Sequence, residues 1–600
     1  MTLKRSELLK KYKWKTTDIF STDKDWYKEK EDLIEKFNDI LQYRGRLSSS
    51  ASMLLECLEL NSTIERRLGS LYGYACCRSD EDLRNSKYIG MKQEIEQAMI
   101  EYSSISSFIE PEIAQMSRNL IDGFIKEDPS LKKYSMKLFD IYRLKPHKLS
   151  TGEEKILARA KMLADSPYSI FSIFSNAELP YPEVKLKEGK KVLLDQSGYA
   201  KYRSSPDRRD RETVFKKFWG VINKFKGTLG AKLYASVKGD VFFSICRGYD
   251  SSLKASLDVN NIPEEIYHNL IKNINKNLDT FHRYLLLRKR LLNVERLEYW
   301  DIYAPAVVEL DFKFSIDEGW DIIEDSLSCL GPEYLSVLKM ARGGRWVDVF
   351  PSPGKRSGAY SNGAIYDVHP FILLNYNEDY KDVTTLAHEL GHAIHSYFSN
   401  KNQPFATAFY PIFIAEVSSI INELLLTRTM IQRAGKDDVK LSLLVEYLDG
   451  FKGTLFRQTK FAEFELLIHE MVERGDTLTG DNLTSIYGNL LRKYYGHVKG
   501  ICHIDDLFMT EWANIPHFYM NFYVYQYGVS FTAAVVMAES IMRGEQGVVE
   551  RYLHFLSAGG SDYPIEILKR AGVDLTSNQP FERAIESMNS AMDEIESLIG

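Results

Sequence analysis

A mainly α-helical protein is what this sequence predicts, and three observations carry the expectation. Apolar residues recur three and four positions apart over long stretches, from Asp23 to Leu47, Leu83 to Ile109 and Ile262 to Leu292. Departures from that period are confined to two short regions. Beyond Tyr380 the helical period resumes and runs to the end of the 600 residues. Such a length exceeds one average core, so the chain reads as two to four packed units or one large continuous helical body. There is no internal repeat and no low-complexity tract.

Taken in order, the amino-terminal helices are punctuated at Asp128-Pro129-Ser130, Gly152 and Pro180-Tyr181-Pro182. The stretch 181–205 breaks the helical pattern. It sets a Glu188-Gly189 turn between short apolar runs, as a small β element would. A boundary is therefore expected near residue 200. Residues 1–200 form an amino-terminal helical region, with its β element near 181–200, and residues 201–600 form the main domain. The second departure is Gly343–Asn377, rich in Gly, Pro and aromatics. Its extended stretches, Ala364–Val368 and Phe371–Asn375, predict a few short strands just before the next helix.

Charge and cysteine usage exclude several classes. With 77 Lys and Arg against 83 Asp and Glu, the net charge is −6. That gives no electrostatic reason to expect nucleic acid or an anionic membrane as partner. The run Arg288-Lys289-Arg290 lies in a helical pattern and reads as a solvated face. The amino terminus has no apolar h-region, and no stretch approaches eighteen uninterrupted apolar residues, so neither a secretory signal nor a membrane span is expected. Cys57, Cys76, Cys77, Cys246, Cys329 and Cys502 form no CxxC pair and are too sparse for a disulfide framework. A reducing compartment, the cytoplasm, fits them, each as a small buried hydrophobe.

The helix after the second departure holds three of only 12 histidines. His388 and His392 are four apart, on one helical face and about 6 Å apart along the axis. Two imidazoles so placed can bind one zinc ion at about 2.0–2.1 Å. Glu389 is rotated about 100° from His388, beside the ion, where it can act as general base toward a metal-activated water. This is the H-E-x-x-H constellation. Thr384 or Thr385 is the expected helix cap. Gly391 inside the helix implies that another element packs close. His395 lies about 10 Å along the axis from His388 and reads as a packing or supporting histidine. The longer H-E-x-x-H-x-x-G-x-x-H pattern fails, since His395 and Phe398 occupy its last two defined positions.

A third ligand must come from elsewhere. The apolar helix 410–430 is interrupted by Glu416 and Glu423, and a carboxylate in such a run needs a partner or a metal. Glu416 is the candidate ligand, and Glu423 is placed to accept a hydrogen bond from a ligand histidine. Glu463 and Glu465 are weaker rivals. Further on, His517 is followed by Tyr519, Tyr523, Tyr525 and Tyr527, with 519, 523 and 527 at helical spacing. These are either aromatic core or donors to the oxyanion of a tetrahedral intermediate.

Together, "HELGHAIH" (388–395), "AEVSSIINE" (415–423), "PHFYMNFYVYQY" (516–527) and "GGRWVDVFPSPGKRSGAYSNG" (343–363) resemble the oligoendopeptidase F family of zinc metallopeptidases, relatives of thimet oligopeptidase. The resemblance is specific from about residue 200 to 590. It implies one zinc per chain on His388, His392 and Glu416, with Glu389 as base. It implies that His517 and following tyrosines, Tyr523 and Tyr527 first, polarise the scissile carbonyl. The thimet branch has a glycine-rich tyrosine loop, whereas residues 517–527 hold no glycine. The implied fold is a large helical ellipsoid with a deep central channel and a small β element beside the active-site helix. The implied activity is endopeptidase cleavage of short unstructured oligopeptides, with "HPFILLNYN" pairing with the substrate backbone. Two competing readings are a zinc hydrolase of a non-peptide amide and a non-catalytic helical peptide-binding protein. An intact Glu389 argues against the second. Oligomeric state is not legible.

Overall fold

The computed structural model describes residues 3–307 and 313–600. Among them, strands are limited to five segments of two or three residues, and helix dominates. No helix among the described residues is long and apolar enough to cross a membrane. The chain forms two compact units, each assembled from separated stretches. The first takes Met1–Pro146, Asp311–Thr429 and Met537–Val573; the second takes His147–Leu310, Met430–Val536 and Asp574–Gly600. Residue 200 lies inside the second unit.

In the first unit, Ala51–Glu81 is a 31-residue helix capped by Ser50, whose hydroxyl accepts from the Met53 amide. It packs on Ser86–Ser106, and its apolar positions join a core containing Trp26, Ile64, Leu71, Ile95 and Tyr102. The polar tips inside that core are satisfied. Trp26 Nε1 donates to the Leu71 carbonyl at 2.8 Å and the Tyr102 hydroxyl to Asn61 Oδ1 at 2.9 Å.

A three-stranded sheet precedes the histidine helix. Phe371–Leu373 is its centre, parallel to Val347–Asp348 and antiparallel to Tyr360–Asn362. All three central residues are buried, which suits an uninterrupted Phe-Ile-Leu run. Two expectations are corrected here. Residues 364–368 are not a strand but a turn, because strand pairing ends at Asn362, opposite Phe371. The segment "HPFILLNYN" cannot pair with a further strand, since both sides of its strand are occupied. Beyond Val347–Asp348 the backbone meets residues 12–15, with Val349 N donating to Tyr12 O at 3.0 Å and Lys15 N to Arg345 O at 3.1 Å. The open edge is therefore Tyr360–Asn362.

In the second unit, Glu183–Lys185 and Lys191–Leu193 form an antiparallel hairpin with Val184 opposite Val192. Its turn needs Gly189, at φ +82°. The basic run at 288–290 is not uniformly solvated: Arg288 is 2% exposed, pairs with Asp449 at 3.2 Å and donates to the Tyr284 hydroxyl. All six cysteines are free; Cys57, Cys77 and Cys502 are buried, but Cys329 is exposed.

The histidine helix, Tyr380–Asn402, packs its apolar face against Ile316–Ser326, Gly331–Gly343, Val548–Ser557 and the sheet. Gly391 is where the glutamate helix, Ile412–Arg433, crosses it. A Cβ there would lie 2.6 Å from Ser419 Cα and 2.7 Å from the Ser418 carbonyl oxygen. Both obstacles are backbone, so no rotamer change relieves them. Gly391→Ala gains about 1 kcal/mol of helix propensity but loses about 1–3 kcal/mol to overpacking. Its urea unfolding midpoint should fall. A midpoint at or above the parent's would show that the crossing has room for a methyl group.

Candidate metal centre

The histidine helix starts earlier than its threonines. Asp379 is the N-cap, accepting from the Asp382 amide in a capping box. Thr384 and Thr385 are inside the helix, where each hydroxyl donates to the Lys381 carbonyl at 2.8 Å. The correction has a physical cause: Asp379 holds the first turn, so the threonine hydroxyls bond back within the helix.

One turn apart, His388 and His392 point the same way. Their Nε2 atoms are 3.1 Å apart. From the glutamate helix, Glu416 Oε2 lies 3.5 Å from His388 Nε2 and 3.6 Å from His392 Nε2. Ligands at about 2.0–2.1 Å in a tetrahedral arrangement stand about 3.3 Å from one another. The donor chemistry and the separations both fit one zinc ion. All three side chains are half-buried, and their donor atoms lie within 4.8 Å of each other.

Neighbouring groups aim these donors. His388 Nδ1 is 2.5 Å from Glu423 Oε1, so Nδ1 donates to that carboxylate and Nε2 is the ring atom turned toward Glu416. His392 is hydrogen-bonded to the Ala415 carbonyl. Ser419 Oγ donates to Glu416 Oε2 at 3.1 Å. Asn422 Nδ2 donates to the Ala387 carbonyl at 3.0 Å, and its Oδ1 accepts from the Tyr334 hydroxyl at 2.8 Å, tying the two helices together. Sequence reasoning did not single out Ser419 or Asn422. Their signal was available: both are polar, fully buried residues in an otherwise apolar helical run.

Glu389 is 7% exposed and outside the donor group. Burial pushes its carboxyl up to about 7, against the opposing pull of His388. Burial works against charge on His388 too, but the Glu423 hydrogen bond and the Glu423 and Glu416 charges raise it to about 9. Burial and the adjacent His388 keep His392 neutral. His395 is fully buried and stacks on Tyr410 with ring centres 3.8 Å apart. Burial lowers its pKa to about 3, and Nδ1 lies 3.3 Å from Ser418 Oγ. It is a packing histidine beside the pair.

His517, Tyr523 and Tyr527 come together in the second unit. The His517 ring centre is 5.8 Å from each tyrosine, parallel to Tyr523 and perpendicular to Tyr527. The helical spacing of residues 519, 523 and 527 is not realised. Pro516–Tyr519 is a 3-10 turn, Asn521 and Phe522 adopt positive φ, and the next helix starts at Tyr525. Tyr519 therefore leaves the group and packs on Phe171, while Tyr525 is buried against Tyr267. The strained turn is clamped by Glu465, whose Oε1 accepts from the Phe522 amide at 2.7 Å. Glu463 is taken by Lys493 and the Tyr494 hydroxyl. Neither joins the donor group of His388, His392 and Glu416.

The sequence profile of Peptidase family M3 matches residues 201–587, and that of Oligopeptidase F matches residues 112–181. Oligopeptidase PepF of Bacillus subtilis is 39% identical over 595 residues, covering 99% of this chain and 88% of that protein. Group B oligopeptidase PepB of Streptococcus agalactiae is 37% identical over 599 residues, covering 100% and 99%. A solved structure of oligoendopeptidase-F from Enterococcus faecium superposes with a TM-score of 0.74 at 33% identity, covering 98% of this chain and 99% of that one. The helical fold, the full-length relatives and the family match agree, and the chain belongs to peptidase family M3, as an oligoendopeptidase F.

Proposed function

We propose that this peptidase is a zinc-dependent endopeptidase, with one ion per chain held by His388, His392 and Glu416, and that it cleaves internal bonds of short unstructured oligopeptides. The observation that carries the metal reading is the set of three Nε2 and carboxylate atoms at 3.1, 3.5 and 3.6 Å, with Glu389 adjacent in sequence but outside it. The substrate class rests on the resemblance and on the names of relatives that are oligopeptidases. The division into residues 1–200 and 201–600 belongs to the same proposal, with the chemistry in the second part; the Peptidase family M3 match beginning at residue 201 supports it. Free thiols at all six cysteines support a cytoplasmic setting.

Bound zinc supplies Lewis acidity, lowering the pKa of a water and polarising a carbonyl. The chain's own residues do the rest. Glu389, with its carboxyl near neutrality, takes a proton from the attacking water and returns it to the leaving nitrogen. Glu423 holds a proton on His388 Nδ1, so Nε2 is the atom that would hold the ion. His517 and one of Tyr523 and Tyr527 donate to the carbonyl oxygen as negative charge develops there. Burial, with Arg457 adding to it, favours the neutral His517 imidazole, whose single N–H is the one available for donation. The unpaired edge of the half-buried strand Tyr360–Asn362 is the place for substrate backbone, and main-chain pairing there tolerates many side chains.

Three outcomes test this reading. Glu416→Ala should strip zinc during dialysis, and Glu423→Ala should weaken zinc affinity by about 10–100-fold. Glu463→Ala should retain the ion; the opposite order by elemental analysis would reassign the third ligand. His517→Ala should lower kcat by about 10²–10³ with zinc content intact, and Tyr523→Phe and Tyr527→Phe identify the phenol that shares the role. Unchanged kcat in all three variants would return this cluster to packing. Glu389→Gln separates catalysis from structure. It should keep zinc and melting temperature while turnover of a quenched peptide falls by about 10²–10⁴. Near-normal turnover with zinc retained would require another base.

A further inference from the structure

Around Tyr303 the second unit gathers more cations than the carboxylates they share. Asp449 is shared by Arg288 at 3.2 Å and Lys452 at 3.0 Å, and it also accepts from the Tyr284 hydroxyl. Glu511 is shared by Arg457 at 2.6 Å and Lys460 at 3.0 Å, and it also accepts from the Tyr487 hydroxyl. Arg203 is a fifth cation, its guanidinium carbon 3.8 Å from the Tyr303 ring centre. Among the described residues no carboxylate pairs with it. The buried carboxylates nearby are already taken up, Asp301 by Arg208 and Arg211, each at 2.9 Å, and Glu298 by Arg296 at 2.5 Å and His503 at 2.7 Å. The chain as a whole is acidic, at −6, so this local excess does not follow from composition.

Tyr303 is the ring on which the excess converges. Lys452 Nζ is 5.0 Å from its centre. Burial alone would raise the phenol's pKa, yet Arg457, Arg203 and Lys452 together hold it below its ordinary value, with Glu511 opposing. The Tyr303 ring is half-buried, and Arg457 Nε is buried without a hydrogen-bond partner. The Arg457 charge also reaches His517. Desolvated cations in excess are costly unless an anion joins them, and an oligopeptide offers one kind of anion in every sequence, a carboxylate. The planar guanidinium fork matches that group.

We propose that Arg203, Arg457 and the Tyr303 hydroxyl form a subsite for a carboxylate of the peptide substrate, either its carboxyl terminus or an acidic side chain. This rests on the peptidase reading above. Arg203 and Tyr303 are half-buried, so a ligand can reach them, whereas Lys452 and Lys460 sit behind and supply field.

The test is a series of one peptide sequence with a free carboxyl terminus, an amidated terminus, or an amidated terminus plus a Glu near that end. In the parent enzyme the free acid should exceed the amide in kcat/KM by about 10-fold or more, the worth of a charge-assisted hydrogen bond. Arg203→Met should bring that ratio close to one, and Tyr303→Phe, a smaller change to packing, should reduce it in part. If the amidated Glu peptide recovers the advantage and loses it in Arg203→Met, the occupant is an acidic side chain. A ratio near one throughout the parent series, or one preserved in both variants, would overturn the subsite. Binding of the same fluorescent peptides to Glu389→Gln, read by anisotropy, separates the two readings. Discrimination in binding without turnover in the parent would leave the subsite standing and remove the catalytic assignment. Turnover without discrimination would do the reverse.

Discussion

The close crossing of two helices at Gly391 is the constraint on which the candidate metal centre depends. The histidine helix and the glutamate helix approach until the Gly391 Cα hydrogens face the Ser418 and Ser419 backbone. Only that approach brings Glu416 within 3.6 Å of both imidazoles. A side chain at position 391 would push the helices apart, and ligand separations would grow with the shift. The hydrogen bond from Asn422 to the Ala387 carbonyl fixes the same crossing one turn away. Helix packing and donor geometry are thus one structural fact, and buried polar atoms lock it because leaving them unpaired is costly.

Electrostatics then divides labour among chemically similar groups. Glu389, Glu416 and Glu423 lie within two helices, yet each meets a different surrounding. Glu423 engages a histidine proton, Glu416 faces the two Nε2 atoms, and Glu389 is buried without a cation of its own strong enough to hold it ionised. Three histidines separate in the same way. His388 and His392 share a half-buried face, while His395 is sealed beneath Tyr410 and kept neutral.

The second unit arranges its groups by a different device. A buried carboxylate, Glu465, holds the Phe522 amide in a left-handed backbone turn, and that turn sets His517 parallel to Tyr523. Around Tyr303 the cations outnumber the carboxylates they share. In both places a costly arrangement, backbone strain or unbalanced charge, sits beside residues assigned to substrate. Strain and charge excess persist where the surroundings over-determine them, and such places are more often functional than accidental.

Much of this was legible in residue order. Helical period identified the fold class, because an amphipathic face is a local property of spacing. His388, Glu389 and His392 were readable for the same reason: four residues on a helix define a face, and one residue defines a rotation. Glu416 and Glu423 were readable because carboxylates in an apolar run demand partners. The start of the histidine helix was misplaced, since Asp379 and the threonines are all competent caps and only the sheet leading into the helix selects among them. The open sheet edge could not be read, because strand order depends on which segments meet, and residues 12–15 cover one side from more than 300 positions away. The tyrosine spacing misled, because Glu465 imposes a backbone turn that local periodicity does not encode. Arg288 looked solvated, since charge runs usually are, until Asp449 came beside it from a distant helix. The sequence by itself determined what could be settled within a few residues: helix, face and the kind of donor atoms placed there. Tertiary structure alone decided helix crossing, strand order and charge balance, because each depends on groups that meet only when the chain is folded.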